Sequence, residues 1–254
     1  MSWDPQQYLR FAGQRLRPAL DLLARIPIEH PESVADLGCG TGNVTGILRS
    51  RWPDARITGL DASPQMLDEA KKLEADIVWE QTELGSWNPS QKYDLVFSNA
   101  ALHWLDDHPG LFLRLCSNLN AGGVLAVQMP RNFSAPSHTL MHELATSPPW
   151  RDALGELLRP MPVLEPAAYY KQLSARASSL DIWETEYLQI LEGDNPVAEW
   201  TKGTWLAPLL AALTPGARAA FESEYRRRVA EAYPRQPDGK TLFPFRRLFI
   251  VAVL

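Results

Sequence analysis

The stretch VADLGCGTGN, residues 34–43, sets a carboxylate, Asp36, just ahead of glycines at three alternate positions, Gly38, Gly40 and Gly42. Glycine allows positive φ and close backbone approach, so such a loop is built to lie against a bound molecule. Further groups able to do chemistry follow at intervals: Asp61 in GLDASPQM, Glu83 in WEQTELGSW, and Asn99, His103 and Trp104 in SNAALHWL. A dinucleotide fingerprint requires G-x-G-x-x-G, and here Asn43 stands where the third glycine belongs. Asp36 would also meet a pyrophosphate as a like charge. An adenosine carrying a cationic tail suits both the loop and the acid.

These residues need elements to position them. SVADLG, ARITGL, ADIVWE, YDLVFSNA and GGVLAVQM read as five strands, the first of them short and buried. Helical spacing fills the gaps between them, with Val44, Ile47, Leu48 and Trp52 after the first and Leu111, Phe112, Leu115 and Leu119 after the fourth. Ser63 and Pro64 open another helix as cap and first-turn residue, with Met66 and Leu67 on its inner face. Alternating strands and helices predict an α/β fold, a doubly wound, mostly parallel sheet. In such sheets ligands bind at the carboxyl ends of the strands, where every motif above falls.

After Met129 the rhythm changes. Residues 131–175 are rich in proline and aromatics, SSLDIWETEYLQIL reads as a sixth strand, 195–235 as helical, and RRLFIVAVL as a last strand. The two late strands are expected to form an antiparallel hairpin pair at the sheet edge, with the helical segments inserted around them. The expected organisation is a single domain, 1–254, with a ligand-binding core over 1–130 and a helical lid formed by the insertions 131–175 and 195–235.

Composition bounds the function. The chain has 254 residues, 45% hydrophobic and 22% charged, with a net charge of −5 and no run of five basic residues, which argues against a nucleic-acid partner. Cys39 and Cys116 cannot build a disulfide framework. The polar start MSWDPQQYLRF has no apolar signal segment, and no stretch approaches the roughly 20 apolar residues of a bilayer span. A soluble, cytoplasmic protein with no metal site, no membrane contact and no obligate protein partner is expected.

ADLGCGTGN, with the acid of GLDASPQM ending the second strand, resembles the first motifs of class I S-adenosylmethionine-dependent methyltransferases. The resemblance implies a Rossmann-like sheet and S-adenosyl-L-methionine as cofactor, with S-adenosyl-L-homocysteine as co-product. By that resemblance the cofactor is held by Asp36, Gly38, Cys39, Gly40 and Asn43. Asp61, Ala62 and Met66 serve the ribose side, Glu83 and Leu84 the adenine, and Asn99, Ala100 and Ala101 the methionine end. His103 and Trp104 are the candidate catalytic pair facing the methyl group. Glu83 departs from the shorter acid that the family usually places there.

SWDPQQYLRF, NAALHWLDDH, GGVLAVQMPRN, AAYYKQLSA, DIWETEY and RLFIVA together resemble the trans-aconitate 2-methyltransferase family, over nearly the whole chain. That implies methyl-ester formation on a small polycarboxylic acid. Such an acceptor needs local cations, so Arg15, Arg131, Arg246, Arg247 and Lys202 are candidates, with Tyr8, His138, Tyr169 and Tyr170 as hydrogen-bonding partners. The family carries an arginine where this chain has Ala207, and Lys202, one turn earlier, is the expected replacement. The alternatives are a hydroxyl, nitrogen or carbon acceptor on the same fold, for which His103 would be the base, a non-catalytic S-adenosylmethionine-binding protein, and an NAD-dependent oxidoreductase.

Overall fold

Val34, Ala35 and Leu37 make the first strand apolar on both faces, and all five residues of β1, Ser33–Leu37, are buried. The computed structural model describes residues 12–158 and 162–254. Helix α1 spans Ala12–Leu23. After β1 come α2, Asn43–Arg51, β2, Arg56–Asp61, α3, Pro64–Ala70, β3, Val78–Gln81, and β4, Tyr93–Asn99. Helix α4, His108–Ser117, leads to β5, Leu119–Pro130.

The sheet has seven strands in the order β3-β2-β1-β4-β5-β7-β6, where β6 is Ser179–Leu191 and β7 is Thr241–Val253. Strands β1 to β5 pair in parallel, and β7 pairs antiparallel with β5, from Val124↔Val253 to Pro130↔Arg247. The chain steps outward from β1 to β3, then resumes at β4 on the other flank of β1. That reversal places the switch point, where ligands bind in such sheets, at the carboxyl ends of β1 and β4.

Two strands are longer than the sequence pattern predicts. β5 begins at Leu119, before its glycine pair, and β7 begins at Thr241, where buried Phe243 and Phe245 alternate with less buried neighbours. The late strands are sheet neighbours as expected, with β7 between β5 and β6.

The chain divides into two compact units. One comprises Arg15–Pro130, Pro162–Thr185 and Arg247–Leu254 and holds β1 to β5. Within it, helix α5, Pro166–Leu173, packs on α4 through Tyr169, whose ring lies 4.8 Å from that of Phe112. Residues 162–175, read from the sequence with the first insertion, thus belong to the sheet unit.

The other unit includes Arg131–Met161 and Glu186–Arg246 and has its own apolar core around Met141, Leu144, Trp200, Leu209, Phe221 and Phe243. Inside that core the Tyr225 hydroxyl donates to the Ser137 carbonyl at 2.8 Å and lies 2.9 Å from Thr201 Oγ1. Among the described residues no helix is long and apolar enough to cross a membrane.

Candidate active site

The glycine loop turns through three left-handed residues, Gly38 (φ 74°), Gly40 (φ 56°) and Gly42 (φ 77°). Each glycine has a different reason. A Cβ on Gly38 would lie 2.1 Å from Ala101 Cβ, so the loop presses on the segment after β4. A Cβ on Gly42 would lie 2.6 Å from the Trp79 ring. A Cβ on Gly40 would meet nothing within 4 Å, so the loop tip borders open space.

Asp61, at the end of β2, fastens that tip. Its Oδ2 accepts from the Gly40 N–H and its Oδ1 from the Ser63 N–H, each at 2.9 Å. The Gly38 and Cys39 N–H groups both donate to the Leu60 carbonyl, at 2.8 and 3.0 Å. An ionised carboxylate offers about four acceptor positions. Half-buried Asp61 therefore keeps one on each oxygen, enough to receive two hydroxyls.

Asp36 sits lower. It is buried, and its Oδ2 accepts from Thr45 Oγ1 at 2.6 Å. Burial pushes its carboxyl up to about 7, with Asp61 adding to the rise and the Thr45 hydrogen bond opposing it. Asp36 thus contributes less negative charge near neutrality than its residue type suggests. The same burial, with the nearby acids, raises the Cys39 thiol strongly, so that side chain is an inert thiol.

The remaining residues of the sequence-derived cofactor set gather on the same end of the sheet. Leu84 is buried, with its Cδ1 3.6 Å from the position a Gly38 Cβ would take. Met66 is buried on α3, whose first turn is capped by Ser63. Asn43 is exposed at the start of α2, and Ala62 and Glu83 are exposed. Ala100 holds a left-handed φ of 54°, and its N–H donates to the Gln128 carbonyl at 2.9 Å. Asn99 Oδ1 is buried with no hydrogen-bond partner among the described residues. His103 is buried beside the half-exposed Trp104, with ring centroids 4.6 Å apart.

The residues assigned to the acceptor divide between the two units: Arg131, His138, Lys202 and Arg246 belong to one, Tyr169, Tyr170 and Arg247 to the other. Tyr8 and the Arg15 side chain lie outside the described residues. Tyr169 is wholly buried; its hydroxyl pairs with His108 Nδ1 and accepts from the Leu164 N–H, so packing explains it without a ligand. Tyr170 is exposed on the same helix. Lys202 Nζ donates to Glu222 Oε1 at 2.6 Å, so the cation expected to compensate for Ala207 is already paired within its own unit. Arg246 is exposed and 3.9 Å from Glu186. Arg131 is half-buried, and its N–H donates to the Arg246 carbonyl. Arg247, by contrast, is 5% exposed and lies opposite Pro130, the last residue of β5.

His138 is buried against the edges of Phe133 and Trp205, and its Nδ1 lies 3.1 Å from Ser137 Oγ. Burial lowers its pKa to about 4, so near neutral pH it is a hydrogen-bonding group without charge.

Three residues of this end were not found from the sequence. Thr45 lies nine positions from the acid it serves and reads as an ordinary helix residue. Trp79 fills the slot left by Gly42 and Gly59, where added Cβ atoms would fall 2.6 and 2.5 Å from its ring. Gln128 reads as one polar residue in a buried strand; only its full burial without partners gives it away.

The strand order and the left-handed loop against β2 are those of a class I methyltransferase sheet, and comparison with known proteins gives the class. A family model described as "Methyltransferase domain" matches residues 8–174. Trans-aconitate 2-methyltransferase of Azoarcus sp. (strain BH72) is 44% identical over 252 residues, covering 99% of both chains. The enzyme of that name from Streptomyces coelicolor is 48% identical over 262 residues, covering 99% of this chain and 86% of its own. The chain belongs to the trans-aconitate 2-methyltransferase family. A solved coclaurine N-methyltransferase, bound to N-methylheliamine and S-adenosylhomocysteine, shares the fold at 13% identity and a TM-score of 0.53, covering 94% of this chain and 72% of that one.

Proposed function

We propose that the protein methylates a carboxylate of trans-aconitate, or of a closely similar small polycarboxylic acid, with S-adenosyl-L-methionine as donor. The observation that carries this reading is the Asp61–Gly40 clamp under an open loop tip, in a chain matching trans-aconitate 2-methyltransferases along almost its whole length. The residues fit the cofactor. Gly40 leaves room beside the loop, Asp61 retains acceptor capacity for two ribose hydroxyls, and buried Asn99 Oδ1 awaits a donor. Leu84 and Met66 supply apolar walls, and Glu83 is assigned to the adenine amino group.

When bound, S-adenosylmethionine supplies a methyl group on a cationic sulfur. What the chain must add is modest. A carboxylic acid has an unperturbed pKa near 4, so the acceptor arrives ionised at neutral pH and no side chain has to remove a proton. The protein holds the acceptor oxygen in line and excludes water, and orientation alone can supply roughly 7–11 kcal/mol in well-aligned reactions.

Arg247 is assigned to an acceptor carboxylate because a buried guanidinium offers a fork of parallel donors that matches that anion. His103 and Trp104 are assigned to shaping the reacting end rather than to proton transfer. Two buried free cysteines and a substrate of this size suit the cytoplasm, where we place the protein.

Incubation with labelled S-adenosylmethionine and a panel of di- and tricarboxylic acids tests the proposal. Base-labile label should appear in trans-aconitate and only weakly in saturated or shorter acids. Tight S-adenosylhomocysteine binding without transfer to any acid would leave a binding protein instead.

A further inference from the structure

Gln128 is fully buried, yet both Nε2 and Oε1 lack hydrogen-bond partners among the described residues. Burying a primary amide without partners is unfavourable, so native folds satisfy such groups or reserve them for a ligand or a bound water. The register shows which ligand this one would meet. Gly59, Asp36, Phe97, Ala126 and Val251 face one another across the sheet. Side chains two residues apart share a face, so the next row on that face holds Asp61, Gly38, Asn99, Gln128 and Phe249. Asn99 and Gln128 are direct register partners, and so are Gln128 and Phe249.

Asp61 therefore lies three strands from Gln128, or about 14 Å at roughly 4.8 Å per strand. If Asp61 holds the ribose and the end of β4 the methionine portion, β5 is the next position beyond the transferable methyl. The amide is followed, two residues along the antiparallel pair, by Pro130 opposite the buried Arg247, on the same face. A neutral N–H donor and a buried arginine one step apart on the same face supply the two kinds of donor that recognise a carboxylate. The amide can orient the reacting anion without the full ion pair that would blunt its nucleophilicity.

We propose that Gln128 is an acceptor-binding residue that donates from Nε2 to a carboxylate of the acid, an assignment that rests on the methyltransferase reading above. Calorimetry tests it without turnover, titrating trans-aconitate into the protein saturated with S-adenosylhomocysteine. Gln128→Met, close in volume and apolar, should weaken acid binding tenfold or more. It should leave S-adenosylhomocysteine affinity within about twofold and the melting temperature of the free protein unchanged or higher. Gln128→Glu, of equal size but anionic, should weaken acid binding further at pH 8, again with cofactor affinity kept.

Acid binding unchanged in both variants would show that the amide holds only a water and would overturn the assignment. An equal loss for both ligands would place Gln128 on the cofactor and overturn it as well. Absence of acid binding by the unmodified protein, with S-adenosylhomocysteine still bound, would instead sink the acceptor reading itself and this assignment with it.

Discussion

The Asp61 carboxylate accepts from the Gly40 backbone N–H at 2.9 Å, so the acid ending β2 and the tip of the glycine loop are one hydrogen-bonded unit. The acid proposed to bind the sugar hydroxyls thus also sets the loop proposed to carry the rest of the ligand. Asp61→Ala removes both functions. The expected loss in S-adenosylhomocysteine affinity by calorimetry is about 1–3 kcal/mol. Unchanged affinity would refute the ribose assignment.

Gly38 and Gly40 separate folding from binding. Both have positive φ, which adds about 1–2 kcal/mol of strain for any other residue. Gly38→Ala also drives a methyl into Ala101, so thermal stability should fall markedly. Gly40→Ala meets no neighbour, so most stability should survive while S-adenosylhomocysteine binding is lost. Comparing melting temperature with affinity for the two variants checks this.

His103 tests the acceptor class. A carboxylate acceptor is already ionised, so His103→Ala should keep kcat within about tenfold. A drop of 100-fold or more would indicate general-base chemistry and a hydroxyl or amine acceptor.

Two buried groups pull the pH dependence of stability in opposite directions. Asp36 has a folded pKa of about 7, above its ordinary value of 3.8. Its contribution is fully present below about pH 4 and is lost as pH rises through about 7. His138, lowered to about 4 from 6.5, contributes above about pH 6.5, and that contribution is lost as pH falls through about 4. Asp36→Asn should raise the melting temperature by a few degrees at pH 8 and have little effect at pH 4. Replacing His138 with Gln should flatten the acid limb. Melting curves from pH 4 to 8 give both slopes.

The mostly parallel sheet, and the glycines and acids at its strand ends, were readable in the sequence because each rests on a local signal: a short apolar run, a glycine at an alternate position, an acid at a strand end. Asp61 and the loop residues could be placed that way. The acceptor residues could not, because their states depend on partners remote in sequence. Lys202 looks like a spare cation until Glu222, 20 residues away, is seen beside it. Tyr169 looks like a lid hydroxyl until His108 is found against it. Gln128 had no signal at all, since the anomaly lies in what its amide lacks.

Trp79 packs against the loop at Gly42 and against β2 at Gly59, two positions where no other residue would leave it room. The indole is consequently a resident fluorophore packed against the loop proposed to hold the cofactor. Its emission reports occupancy without a label, and replacing the other tryptophans one at a time would isolate that signal.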